Sequence, residues 1–194
     1  SNIALREKLR TQSLRDPLTG LYNRRYMEDA LERYVSLSER NGSSTAVLMI
    51  DLDNFKRLND DHGHPKGDAV LRDVASQLMT ALRPSDVISR YGGEELIVIL
   101  PNCDLEDAKN KAEMLRSRIE SLSDVHGTAI SASFGVAAIP ETSTSTADVI
   151  PMADAALYCA KKAGKNRIAS ADRRAKADSA KLDDKAAPRL AVTN

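Results

Sequence analysis

An α+β sandwich, a central mostly antiparallel sheet of about five strands flanked by helices, is the fold class this sequence predicts. Three observations predict it. Thr45 to Leu52 (TAVLMIDL) is a nearly continuous apolar run, as expected of a strand buried on both faces. Gly92-Gly93 lies between two apolar runs, which marks a hairpin. Helical periodicity fills the intervals, so the element order reads α-β-α-β-β-α-β-α.

Taken in order, residues 3–15 are rich in Leu, Arg, Glu and Lys without Gly or Pro and read as a helix with no evident packing partner, or else a solvated linker. Asp16-Pro17-Leu18-Thr19-Gly20 breaks it. From Asn23 as a cap, Tyr26, Ala30, Leu31, Tyr34 and Leu37 recur at helical spacing until Asn41-Gly42. The strand Thr45 to Leu52 follows, then a polar, turn-rich stretch around Asn59 to Gly67. Asp68, Val70, Leu71, Val74, Leu78 and Leu82 mark the next helix, stopped by Pro84. Asp86 to Tyr91 and Leu96 to Leu100 form the hairpin strands. Leu105 to Leu122 reads as a helix, Ala129 to Ile139 as a strand, and Ala147 to Lys162 as a helix ended by Gly164. From Ser170 onward the composition of Ala, Lys, Asp and Arg predicts a disordered tail. The expected organisation is a linker helix over 1–15, one domain over 16–169 and a tail over 170–194.

Composition excludes several classes of function. The 194 residues hold one domain, and no apolar run is long enough to span a bilayer, so no membrane contact is expected. Lys+Arg and Asp+Glu both total 28, leaving no global basic field to draw the chain onto nucleic acid. Any phosphate binding must be local. Cys103 and Cys159 have no metal-type spacing and read as free thiols, which points to the cytoplasm. Ser1-Asn2 reads as a remnant of tag removal, implying a piece of a longer protein.

Chemistry concentrates in the acids. Asp51 and Asp53 end the first strand, and Glu94-Glu95 sit in the hairpin turn. If the hairpin lies beside that strand the carboxylates converge, which is costly unless a cation neutralises them. Magnesium suits such a site, because it takes hard oxygen ligands from one or two carboxylates plus substrate phosphates. On spacing alone, solvated loop acids are the commoner outcome.

The motif set goes further. Arg90-Tyr91-Gly92-Gly93-Glu94-Glu95-Leu96 resembles the signature of the GGDEF family of diguanylate cyclases, and Asp51-Leu52-Asp53-Asn54-Phe55-Lys56 resembles its metal strand. Asp16 to Arg25 (DPLTGLYNRR) is similar to its opening motif, and Ala160 to Asn166 (AKKAGKN) to its closing phosphate motif. The resemblance implies an architecture similar to the palm of nucleotide cyclases and polymerases, and condensation of two GTP into cyclic di-GMP with release of pyrophosphate. It implies two Mg2+ ions per site, with Mn2+ as a substitute, held by Asp51, the Leu52 carbonyl, Glu94 and Glu95. Glu94 also matches the acceptor of the 3′-hydroxyl proton, and Glu95 and Lys56 complete the catalytic set. Asn59 and Asp68 match guanine contacts, and a carboxylate facing the guanine N1 and N2 donors excludes adenine. Asn54, Phe55, Lys56, Lys161 and Lys165 match triphosphate contacts; arginine is also frequent in the family at the last position.

Arg83 and Asp86 match an Arg-x-x-Asp site for inhibitory product, although the same residues also read as a helix stop and a strand start. A further family arginine falls at Met114, with Arg116 or Lys111 as substitutes. Leu96 stands where the family has phenylalanine and is expected to pack beneath the turn. His62 and His64 are expected in loop packing rather than metal binding, Ser131 to Val136 in the core, and Tyr158 in helix packing. Two GTP molecules require two facing domains, so a homodimer is implied, with a sensor domain N-terminal to the helix at 3–15. The competing reading is a non-catalytic receptor for cyclic di-GMP or GTP. Against it, Asp51, Asp68, Glu94 and Glu95 are all present.

Overall fold

The computed structural model describes residues 14–171. Their elements are β1 (Tyr22–Asn23), α1 (Arg24–Asn41), β2 (Thr45–Leu52), α2 (Phe55–His62), α3 (His64–Ala81), β3 (Val87–Arg90), β4 (Glu95–Pro101), α4 (Leu105–Glu120), α5 (Leu122–His126), β5 (Ala132–Ile139), α6 (Thr146–Lys162) and β6 (Ile168–Ser170). They build one six-stranded sheet in the order β1-β3-β4-β2-β5-β6. The four inner strands are antiparallel, while β1 and β6 pair in parallel at the edges, so the sheet is mixed.

Strand β2 sits at the centre and is buried over its whole length because helices cover both faces. Its even residues Ala46, Leu48, Ile50 and Leu52 join Phe55 of α2, Val70, Leu71, Val74 and Leu78 of α3, and Leu115 and Ile119 of α4. Its odd residues Val47 and Met49 face Met27, Leu31 and Val35 of α1 and Val149, Ala153 and Leu157 of α6. Leu96 is 1% exposed and lies in the first of these cores, as the apolar replacement in the signature predicts.

Several expectations are corrected. The stretch around Asn59 to Gly67 is helical: α2 and α3 are separated only by Gly63, whose φ of 84° ends one helix and admits the next. His62 and His64 are therefore exposed helix ends, not loop packing. On α1 the buried stripe runs through Met27, Ala30, Leu31, Val35 and Ser38, leaving Leu37 exposed and Tyr26 and Tyr34 half-buried. Tyr158 is 61% exposed, with Lys162 over its ring. Leu14 and Arg15 are not helical; Arg15 bridges Tyr22. Ile168–Ser170 forms β6 and Ala171 donates to the Val136 carbonyl at 2.8 Å, so the expected tail does not begin at Ser170. The remainder of that tail and the helix placed over 3–13 lie outside the described residues. Both cysteines are free; Cys103 is buried, which pushes its thiol up to about 11, and Cys159 is exposed. Among the described residues no helix is long and apolar enough to cross a membrane.

Candidate active site

The candidate site lies where the C-terminal end of β2, the β3–β4 turn, the start of α2 and the end of α6 meet. Antiparallel registers set Asp51 opposite Glu95 on β4 and opposite Ser133 on β5. Asp51 is 6% exposed, and Lys161 from α6 places its Nζ 2.8 Å from Oδ2. Burial raises the Asp51 carboxyl above its ordinary range; Lys161 opposes that shift and Asp53 adds to it. Glu94 is raised as well, first by burial and then by the charges of Asp51 and Glu95. Like charges thus crowd one sheet corner, answered by the Lys161 ammonium and, at longer range, by Lys165.

The turn is held from outside the corner. Arg90 donates from Nη2 and Nε to the Gly93 carbonyl at 2.8 and 3.2 Å and pairs with Asp16 at 3.2 Å. Asp16 also accepts from the Thr19 hydroxyl at 2.7 Å and its amide at 2.8 Å. The opening motif therefore braces the signature turn, a positioning role that sequence reasoning missed for Asp16 and Arg90; their co-occurrence in two motifs was the available signal. Burial works to raise the Asp16 carboxyl, but Thr19 and Arg90 more than offset it and hold it below its ordinary value. A group so depressed stabilises the fold above the unfolded carboxylate range, and that stabilisation is lost as pH falls through the folded value. Asp16→Asn should accordingly cost about 1–2 kcal/mol at neutral pH in urea unfolding, with the gap closing toward acid pH. A pH-independent gap would contradict this.

Gly92 leaves space that the Glu95 carboxylate fills, since a Cβ there would press on Oε2. Leu52 sits beside the turn, its amide donating to the Glu94 carbonyl at 3.3 Å. Asp53, in contrast, is engaged: it accepts from the Ser131 and Ser133 hydroxyls at 2.7 Å each and from the Asn166 amide at 2.9 Å. It anchors the corner rather than offering a free ligand. Among the described residues no three acidic, His or Cys side chains already converge at ligand spacing. The oxygen-only donors Asp51, Glu94 and Glu95 nevertheless fit a divalent cation completed by substrate phosphates, and the Lys161 ammonium occupies that electrostatic niche.

Asn54 precedes α2 in the left-handed conformation and gives it no side-chain cap. The first amides of α2, beginning at Phe55, thus form an uncapped helix start suited to anions. Phe55 buries its ring in the core, and Lys56 is exposed without an ion pair among the described residues. Lys165 donates to Asn54 Oδ1 at 2.5 Å, so this cation joins the same corner. Farther along α2, Asn59 Oδ1 is buried without a partner and lies over Gly67 of α3. Half-buried Asp68 follows, with no ion pair among the described residues. Asp68, an acid one residue on from the glycine that Asn59 covers, is what a base edge rich in N–H donors would satisfy.

Arg83 and Asp86 lie at a separate place. The Arg83 side chain is exposed, whereas buried Asp86 accepts from the Arg83 amide at 2.9 Å, so the helix-stop role is realised. Both also line a cavity of about 240 Å³ with Arg15, Tyr22 and Met79. Met114 is 38% exposed, and Arg116 cannot replace an arginine there: it is bound to Glu113, Glu120 and Asn166. Lys111 is half-buried on the same helix.

The family described as diguanylate cyclase, GGDEF domain, matches residues 13–167. The diguanylate cyclase DgcP of Pseudomonas aeruginosa is 40% identical over 165 residues, covering 84% of this chain and 24% of that protein. The chain thus spans about a quarter of that relative's length. A crystal structure of the coiled coil and GGDEF domain of DgcB from Caulobacter crescentus, in complex with c-di-GMP, superimposes with a TM-score of 0.78 at 32% identity, covering 85% of this chain and 89% of that one. The active GGEEF domain of a diguanylate cyclase from Vibrio cholerae gives 0.72 at 32% identity, covering 77% and 96%.

Proposed function

Because the chain belongs to the GGDEF family of diguanylate cyclase domains, we propose that it joins two GTP molecules into cyclic di-GMP with release of two pyrophosphates. One observation supports this most: buried Asp51 and the raised Glu94 crowd the end of β2, with Lys161 paired to Asp51 and Lys165 nearby as counter-charges. Asp51, the Leu52 carbonyl and Glu94, with Glu95 alongside, would hold two Mg2+ or Mn2+ ions. When bound, these supply positive charge against the triphosphate and the attacking hydroxyl. Glu94 takes the 3′-hydroxyl proton, which its raised pKa favours. Lys161, exchanging Asp51 for phosphate, acts with Lys56, Lys165 and the first amides of α2 to bind the triphosphate. The attacking oxygen displaces pyrophosphate from the α-phosphate of the second GTP.

Asn59 and Asp68 read the guanine. Gly67 makes room for that contact, because a Cβ would overlap Asn59 Oδ1. Gly67→Ala therefore gains helix propensity, about 1 kcal/mol, yet displaces Asn59. A GTP analogue titrated by calorimetry should bind about tenfold more weakly to this variant, one hydrogen bond's worth. Unchanged affinity would remove Asn59 from the guanine site.

One domain over residues 16–169 offers one nucleotide corner, so two copies must face each other in a symmetric dimer. A cytoplasmic location, a sensor domain joined at the N-terminal side, and product inhibition at Arg83 and Asp86, weakened by Met114, complete the proposal. Incubation with GTP and Mg2+ tests it: pyrophosphate and cyclic di-GMP should both appear, at a rate rising faster than linearly with protein concentration. Tight nucleotide binding without pyrophosphate would instead indicate a receptor.

A further inference from the structure

We propose that Arg116 and Asn166 are positioning residues for the triphosphate, clamping the turn between α6 and β6 so that Lys165 is aimed at the start of α2. The inference rests on the assignment of Lys165 to the phosphates. Its starting point is backbone strain. Among the described non-glycine residues, positive φ occurs at Asn54 (56°), Asn102 (50°), Lys165 (64°) and Asn166 (47°). Three of these meet at the candidate site, two of them consecutive. Left-handed backbone is tolerated by Asn but disfavoured for Lys, so at Lys165 it persists only where the surroundings over-determine it.

Those surroundings are visible. The Asn166 amide donates to Asp53 Oδ2 at 2.9 Å, and Asp53 is itself fixed by two serine hydroxyls. Asn166 Oδ1 accepts from Arg116 Nη1 at 2.7 Å, and Asn166 Nδ2 donates to Glu120 Oε1 at 2.7 Å. Arg116 in turn is locked by Glu113 at 2.7 Å and Glu120 at 2.8 Å. The Asn166 side chain is thus committed to α4, and its backbone amide to Asp53 just past β2. The strained turn cannot relax without breaking this frame, and Lys165 stays on Asn54. An ordinary exposed ion pair would not need such geometry: the Arg116 side chain is 16% exposed, and its fork serves three partners at once, which lysine's point charge cannot do.

Three variants test this: Arg116→Met, Arg116→Lys and Asn166→Gly. Glu113 and Glu120 are about half exposed, so losing Arg116 leaves no buried charge behind. The readouts are hydrogen exchange of the Asn166 amide without nucleotide, calorimetric affinity for a non-hydrolysable GTP analogue with Mg2+, and the split between KM and kcat. Arg116→Met should exchange about tenfold faster at Asn166 and bind the analogue about tenfold more weakly. Its KM should rise in proportion while kcat stays within about twofold, since the contact binds ground and transition state alike. Arg116→Lys should recover part of the affinity. Asn166→Gly relieves the left-handed backbone but deletes the clamp, so it should resemble Arg116→Met. If Arg116→Met or Asn166→Gly, still folded, binds the analogue as tightly as the wild type, the positioning role is overturned while the cyclase reading stands. If the wild type itself fails to bind the analogue, both fall together.

Discussion

Glu94→Gln should lower cyclic di-GMP formation by roughly 10²–10⁴-fold while leaving a folded protein, because it removes the proposed proton acceptor and cation ligand without changing shape. The second half of this expectation follows from electrostatics. Burial and the charges of Asp51 and Glu95 disfavour the ionised form of Glu94 in the fold. A carboxyl raised in the folded state destabilises the fold above its folded value, and the penalty fades as pH falls toward the unfolded value near 4.3. At neutral pH the Gln variant should therefore melt at or above the wild-type temperature, and the difference should vanish in acid. Activity loss accompanied by a lower melting temperature would mean that Glu94 supports the turn rather than the chemistry.

Gly135→Ala should cost about 3 kcal/mol or more, lowering the melting temperature by roughly 10 °C. Gly135 lies in the middle of β5, opposite Met49, on the face covered by α6. A Cβ there would run into the Ala153 carbonyl oxygen and the Leu157 amide, both backbone atoms of that helix. Neither can rotate away, so α6 must lift off the sheet. Because α6 also carries Lys161, nucleotide binding should weaken with the fold. Gly93→Ala is the control for stability: no atom lies within 4 Å of a Cβ placed there. Equal melting temperatures for the Gly135 variant and the wild type would show that α6 approaches the sheet less closely.

The parts of this fold that could be read from sequence are those whose burial is one-sided or complete. β2 is apolar but for Thr45 and Asp51 because both of its faces are covered, and α1 is bounded by Asn23 as cap and Gly42 at φ 63°. Helix α2 escaped because FKRLNDDH buries only Phe55 and shows no apolar stripe; its helicity depends on packing against α3. Strands β1 and β6 are two and three residues long, too short for any period, and exist through parallel pairing with distant segments. In the site, residue identities and motif spacing placed Asp51, Glu94, Glu95, Lys161 and Lys165 at one corner. The supports were not legible, since Asp16 to Arg90, Asp53 to Asn166 and Arg116 to Asn166 are contacts that only tertiary structure brings together. Arg116 illustrates the limit: its type suggested a product contact near Met114, whereas its partners commit it to the turn after α6.

Diffraction from crystals grown with a GTP analogue and Mn2+, recorded for the anomalous signal of manganese, addresses the central claim most directly. The account predicts manganese between Asp51, the Leu52 carbonyl and Glu94, the guanine against Asn59 and Asp68, and Lys161 moved from Asp51 to phosphate. Manganese and nucleotide bound elsewhere, with Lys161 still paired to Asp51, would contradict it.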